Sequence, residues 1–164
     1  MEKIVVILLL TVAAAVLLSR KKARPGNSKT KAGTTLPEPQ RKLRFELEKR
    51  MEEFLEFDHF ELLIQPVVDF RTDRVCGGEV LSRLNHPERG VIFPDQFLPV
   101  VDAVGMYPWF DRYIFRKSCA LLSRETELGK GPEILSCNFS RKTLSEENIA
   151  SDLAEIADSY GCLK

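Results

Sequence analysis

The sequence predicts an α/β domain that follows a single N-terminal transmembrane helix. Residues 4–18 form an uncharged run of fifteen residues, rich in Leu, Val, Ile and Ala. From residue 43 onward, segments with apolar residues at helical spacing alternate with short runs of β-branched and aromatic residues. An alternation of strands and helices is typical of a parallel sheet covered by helices.

The apolar run predicts a membrane anchor over residues 1–19. At 1.5 Å per residue, fifteen residues make a helix of about 22 Å, somewhat short for a hydrocarbon core of about 30 Å. A cleaved signal peptide is the alternative. The basic residues favour the anchor, because Arg20, Lys21, Lys22 and Arg24 follow the run and only Lys3 precedes it. The positive-inside bias then predicts a single-pass protein of the cytoplasmic (inner) membrane whose domain faces the cytoplasm.

Charge divides the remaining chain into two parts. Residues 20–42 hold eight Lys/Arg against one acidic residue, a net charge of +7, and are rich in Pro, Gly, Ser and Thr. We interpret them as a basic, flexible linker beside an anionic membrane surface. Residues 43–164 hold 15 Lys/Arg against 22 Asp/Glu, a net charge of −7. An acidic domain argues against binding of DNA or RNA.

The elements of the domain follow from periodicity and from turn residues. Leu43, Leu47, Met51, Phe54 and Leu55 lie on one stripe of a first helix. Strands are predicted over residues 60–68, 75–84 and 134–139, and helices over 94–104 and 109–124. A last helix is predicted to begin at a Ser145 cap and to end near Gly161. Trp109 is expected in the core. Four widely spaced cysteines are expected to be reduced and partly buried.

One strand carries an unusual pair of charges. Glu79, Leu81 and Arg83 point to the same face, because side chains alternate along a strand. Charged groups among apolar neighbours are costly to bury unless each has a partner. A carboxylate can hold a divalent cation and a guanidinium can hold a phosphate, and phosphodiester hydrolysis needs both. The alternative is a surface Glu–Arg pair.

Four ordered blocks of the sequence resemble the signature of the EAL domain, the cyclic-di-GMP phosphodiesterase family. The name-giving Glu-Ala-Leu is Glu79-Val80-Leu81 here, followed by Arg83, His86-Pro87, Gly90, Ile92, Pro94 and Phe97. Gln65-Pro66-Val67-Val68 resembles the Gln-Pro strand of the family. Residues 97–105 resemble its Phe-Ile-Pro helix, and Cys137-Asn138-Phe139-Ser140 resembles its Val-Asn-Leu-Ser strand.

The resemblance implies a TIM-like (β/α)8 barrel, of which residues 43–164 match about the first half. We therefore expect a truncated EAL domain that forms a partial barrel. The family hydrolyses cyclic-di-GMP to the linear dinucleotide with a divalent metal, Mg²⁺ or Mn²⁺, and its intact members are often dimers. By resemblance, Glu79 and Asn138 are metal ligands and Gln65 and Arg83 bind the substrate. The later acidic ligands and the catalytic Lys of the family are absent, so no catalytic residue is expected in this chain.

Each candidate residue has a simpler interpretation. Glu79 could be a solvated strand acid and Asn138 a turn-forming residue. Arg83 could form a salt bridge to Asp69 or Glu88, and Gln65 could be an ordinary polar strand residue. His86 precedes a proline in a turn, for which we expect a structural role.

Three functions follow from these observations. The first is the N-terminal portion of a membrane-anchored cyclic-di-GMP phosphodiesterase, expected to be inactive on its own. The second is a non-catalytic cyclic-di-GMP-binding or protein-interaction module. The third is a membrane-tethered structural segment without affinity for the nucleotide.

Overall fold

The computed structural model describes residues 37–129 and 134–162. The predicted anchor and residues 20–36 of the predicted linker lie outside the described residues. Within the described ranges, no helix is both long enough and apolar enough to cross a membrane.

The first helix, α1 (Glu38–Glu56), begins five residues before its predicted start. Pro37 precedes its first turn, where a proline removes no helical hydrogen bond. Leu47, Met51, Phe54 and Leu55 are buried, which confirms four of the five positions of the predicted stripe. The spacing of these residues on one side of the helix is the reason that α1 packs against the domain.

Two long strands dominate the sheet. Strands β1 (Phe60–Asp69) and β2 (Arg74–His86) pair antiparallel along the whole length of β1, with a bulge between Val67 and Val68. Their turn is closed by Asp69, which accepts hydrogen bonds from the backbone N–H of Thr72 and Asp73. Because the connection is a short turn, the two strands cannot be parallel. The expectation of a parallel sheet is therefore wrong for this pair.

Two short strands complete the sheet. Strand β3 (Gly90–Ile92), which sequence reasoning missed, pairs antiparallel with the end of β2. Strand β4 (Leu135–Ser136) pairs with β2 in the only parallel register among the described residues. It covers two residues of the six predicted for it, and the chain from Cys137 to Ser140 lies outside the described strands. The described sheet is thus open and mixed.

Two of the remaining helices contact the sheet, and the other two pack against one of these helices. In chain order, the remaining helices are α2 (Pro94–Ala103), α3 (Tyr107–Glu127), α4 (Arg141–Leu144) and α5 (Ile149–Ser159). Phe60, at the start of β1, has edge contacts with Phe97, Phe110 and Tyr113 at centroid distances of 5.2 to 6.0 Å. Val80 and Leu84 of β2 are buried on the same face. The opposite face, which carries Glu79 and Arg83, is exposed or half-buried.

Two local expectations are wrong. Ser145 ends the short helix α4 as its C-cap, and Ser140 is the residue that caps the start of α4. Trp109 is 53% exposed on α3 and does not belong to the core. It lies in the first turn of that helix and is not among the buried residues of the helix, which begin at Phe110.

Candidate functional site

The structure brings Glu79 and Asn138 into contact. The Asn138 side-chain Nδ2 donates a hydrogen bond to Glu79 Oε1 at 2.7 Å. This contact follows from the parallel pairing of β2 and β4, in which Glu79 lies beside Ser136. Asn138 follows Ser136 by two residues, so that its side chain extends to the same side as that of Glu79. Two residues that are 59 positions apart in the sequence thus share one corner of the sheet.

Gln65 lies on the other side of Glu79. The two residues are direct partners in the antiparallel pair of β1 and β2. Side chains of directly opposite residues point to the same face, with Cβ atoms about 4.5–5.5 Å apart. Gln65, Glu79 and Asn138 therefore form a row of polar groups across three adjacent chain segments, and Gln65 is exposed.

Arg83 lies further along β2. It shares the face of Glu79, but four residues of strand separate them by about 13 Å. The guanidinium donates to the carbonyl oxygen of Ser82 at 2.8 Å and lies over the Phe93 ring, 5.1 Å from its centroid. In the described part of the chain it makes no ion pair with Asp69 or Glu88. The simpler interpretation of Arg83 as a salt-bridge partner of those acids is therefore not what the structure shows.

His86 joins the hairpin to α1. It is 3% exposed, and its Nδ1 accepts the backbone N–H of Glu88 and Arg89 at 3.2 and 3.3 Å. Its Nε2 lies 2.9 Å from Glu46 Oε1. The hydrogen bond from Arg89 is the main reason that the pKa of Glu46 is lowered, and His86 adds to it. These contacts support the structural role expected for His86.

Sequence reasoning missed Asp111. This residue lies in the second turn of α3 and is 4% exposed. Its Oδ2 accepts hydrogen bonds from the backbone N–H of Ser140 at 2.7 Å and from Thr143 Oγ1 at 2.5 Å. Burial raises the pKa of the Asp111 carboxyl, although these hydrogen bonds oppose the shift. The spacing of Ser140 and Thr143, typical of a helix cap, was the available signal, but the sequence gives no hint of the acid that they meet.

The donors at this corner of the sheet suit a hard divalent cation. A carboxylate and a neutral amide oxygen are ligands that Mg²⁺ and Mn²⁺ accept. Within residues 37–129 and 134–162, no group of three or more His, Cys, Asp or Glu side chains is arranged to hold a metal ion. Glu79 and Asn138 can therefore supply part of a coordination shell. Their role as ligands stays a prediction.

Comparisons with known proteins bear on the whole domain. The family model described as "EAL domain" matches residues 48–164. A protein of Mycobacterium tuberculosis (strain H37Rv), described as uncharacterized, is 30% identical over 120 residues, which are 73% of this chain and 19% of that protein. The cyclic di-GMP phosphodiesterase PdeL of Escherichia coli is 37% identical over 68 residues, 42% of this chain and 19% of PdeL. The chain spans about a fifth of the length of these relatives.

Solved structures agree in fold. The FimX EAL domain from Pseudomonas aeruginosa, bound to c-di-GMP, aligns with a TM-score of 0.60 and 26% identity, covering 68% of this chain and 44% of that one. The FimX EAL domain of Xanthomonas citri, also in complex with c-di-GMP, aligns with a TM-score of 0.64 at 17% identity, covering 77% and 48%. The observed α/β fold is thus of the EAL type, and the match over residues 48–164 shows that this chain belongs to the EAL-domain family.

Proposed function

We propose that this chain acts in cyclic-di-GMP signalling by binding a divalent cation, Mg²⁺ or Mn²⁺, and the dinucleotide on the exposed face of its sheet. The observation that carries the proposal is the 2.7 Å hydrogen bond from Asn138 Nδ2 to Glu79 Oε1, which brings a carboxylate and a side-chain amide together. In the proposal, rotation of the amide turns the Asn138 oxygen toward a cation that Glu79 also binds. Relatives support the substrate class, because PdeL is named as a cyclic di-GMP phosphodiesterase and the FimX domain was solved with c-di-GMP.

The residues of this face have separate roles in the proposal. Glu79 and Asn138 hold the cation, which supplies positive charge to a phosphate oxygen. Arg83 binds a phosphate with its planar, permanently charged guanidinium, after leaving the Ser82 carbonyl. Gln65, beside Glu79, offers both a donor and an acceptor to the nucleotide.

The 164-residue chain alone is expected to bind without hydrolysing. Hydrolysis requires a fixed metal shell and a group that activates water. Here the described residues provide the Glu79 carboxylate and the amides of Asn138 and Gln65, and no group of three or more His, Cys, Asp or Glu side chains among them could hold a metal ion. We expect no linear dinucleotide above a no-protein control when the chain is incubated with cyclic-di-GMP and Mg²⁺ or Mn²⁺. Turnover that disappears in Glu79→Ala would overturn this expectation.

Binding is the direct test of the proposal. Isothermal titration of the full chain in detergent with cyclic-di-GMP, in the presence of Mn²⁺, is expected to give a saturable signal. Arg83→Ala is expected to weaken nucleotide binding by about 10- to 100-fold, because a hydrogen bond to a charged group contributes about 1.5–3 kcal/mol. Glu79→Gln is expected to remove the dependence on Mn²⁺.

Glu155→Gln is the matched control for Glu79→Gln, because it neutralises an exposed acid on α5. This variant is expected to leave the affinity for cyclic-di-GMP and the affinity for Mn²⁺ unchanged. Binding of cyclic-di-GMP without any effect of Arg83→Ala or Glu79→Gln would place the nucleotide elsewhere. Absence of binding would favour the third function considered from the sequence, a membrane-tethered segment without nucleotide affinity.

Membrane attachment is a second part of the proposal. The uncharged run over residues 4–18 and the basic residues after it support an uncleaved anchor with residues 43–164 on the cytoplasmic side. The chain is expected in the membrane fraction of the cell with its original N-terminus. A soluble protein that begins after Ser19 would show that the run is a cleaved signal peptide.

A further inference from the structure

We infer that Asp111 is a positioning residue that holds Asn138 against Glu79. The inference deepens the proposed function, because the position of Asn138 matters only if that residue serves the metal and nucleotide site. It begins from the shortness of β4, which pairs with β2 only at Leu135 and Ser136. The next four residues, 137–140, lie outside the described strands. The contacts of Ser140 therefore add to the strand pairing in fixing this segment.

The segment is held at its far end by Asp111. The carboxylate accepts the Ser140 backbone N–H at 2.7 Å and the Thr143 hydroxyl at 2.5 Å. Ser140 Oγ in turn accepts the Thr143 backbone N–H at 3.1 Å, and Thr143 is fully buried. Asp111 thus ties the start of α4 to α3, only two residues beyond Asn138.

The neighbours of Asn138 determine the direction of its side chain. Cys137 and Phe139 are both buried, and the Phe139 ring packs against Phe115 at 5.7 Å between centroids. In an extended segment the side chain between two buried ones points away from the core. Asn138 then reaches Glu79 if the segment is held in the correct position along β2. The pairing of Ser136 with β2 and the hydrogen bond of Ser140 with Asp111 fix that position from the two ends.

The test distinguishes a change in the position of the Asn138 side chain from a loss of folded protein. In ¹⁵N-labelled, metal-free full chain in detergent micelles, the side-chain NH₂ signals of Asn138 are identified by their loss in Asn138→Ser. Their shift in Glu79→Gln marks the weakened Asn138–Glu79 contact. Asp111→Ala is expected to move the Asn138 signals toward that shifted position. Asp111→Asn, which keeps an oxygen acceptor without the charge, is expected to restore part of the wild-type position.

Leu153→Ala is the control for lost stability, because Leu153 is a buried apolar residue on α5, a helix that carries neither Asp111 nor Asn138. It is expected to lower the melting temperature and leave the Asn138 signals in place. If Asp111→Ala does not fold, Thr143→Val removes one of the two donors at nearly constant shape and is expected to shift the signals in the same direction. Unchanged Asn138 signals in a folded Asp111 or Thr143 variant overturn the inference.

Added Mn²⁺ distinguishes this inference from the proposed function. Broadening of the Asn138 signals by Mn²⁺ in the wild-type chain supports the metal site. In Asp111→Ala the Mn²⁺ dissociation constant is expected to rise about 10-fold or more, as for other residues that orient metal ligands. Wild-type signals that do not respond to Mn²⁺ contradict the proposed metal site, whereas the shift caused by Asp111→Ala without metal still reports on the positioning role.

Discussion

Gly78 is expected to be intolerant of any side chain, because β1 and β4 approach it from both sides. A Cβ atom at this position would lie 2.4 Å from Ile64 Cγ2 and 3.3 Å from Leu135 Cδ2. Ile64 is β-branched and has few rotamers with which to move away. Overpacking of this kind typically costs about 1–3 kcal/mol. We therefore expect Gly78→Ala to lower the free energy of unfolding by about 1–3 kcal/mol, a large part of a typical total of about 5–15 kcal/mol.

A double-mutant cycle with Ile64→Ala isolates the contact. Ile64 is 36% exposed, and the change removes three carbons, so that at about 0.8 kcal/mol per fully buried CH₂ its cost is about 1.5 kcal/mol. Removing Cγ2 also removes the clash. The double variant is then expected to be about as stable as Ile64→Ala alone, and the coupling free energy to equal the cost of the clash.

The assay is urea unfolding of the full chain in detergent, followed by circular dichroism, with the midpoint and the slope compared for each variant. Gly77→Ala is the matched control, because its Cβ would lie 3.0 Å from the backbone oxygen of Ile134, which Ile64→Ala cannot relieve. Gly77→Ala and Ile64→Ala are expected to be additive within about 0.5 kcal/mol. Additive effects of Gly78→Ala and Ile64→Ala would refute the reasoning.

Three further predictions concern the cysteines and the open sheet. In the native chain a thiol reagent is expected to modify Cys76 rapidly and the buried Cys119, Cys137 and Cys162 slowly, with the rapid phase absent in Cys76→Ser. Burial raises the pKa of Cys137 to about 11 and that of Cys119 to about 12, so their protonated forms favour the folded state. The stabilisation of the folded state by these protonated thiols is complete below about pH 9 and is lost as the pH rises through 11 to 12. A urea midpoint that does not fall between about pH 9 and about pH 12 would contradict this prediction. A segment of residues 37–164 is expected to be poorly stable as a monomer, because β1 leaves Leu63, Val67 and Val68 exposed on an open sheet. A monodisperse monomer with a cooperative thermal transition well above room temperature would argue against this expectation.

Local sequence patterns were sufficient to predict the long helices and strands. The stripe of apolar residues in α1 and the β-branched runs of β1 and β2 encode their own periodicity, since a helix or strand must place its apolar side chains on one face. Helix α2 was likewise predicted to within one residue, because Pro94 and Gly105 delimit it. The motif blocks around Glu79 and Asn138 indicated the EAL family, which the match over residues 48–164 shows.

Only the tertiary structure decided how these elements meet. The antiparallel pairing of β1 and β2, the two-residue length of β4 and the exposure of Trp109 depend on which neighbours each segment finds. The contact between Glu79 and Asn138, across 59 positions, depends on the register of β4 beside β2. Asp111 had no motif around it, because its importance comes from Ser140 and Thr143, which lie 29 and 32 residues away. A sequence records local periodicity directly, whereas hydrogen bonds between distant residues exist only once the chain has packed.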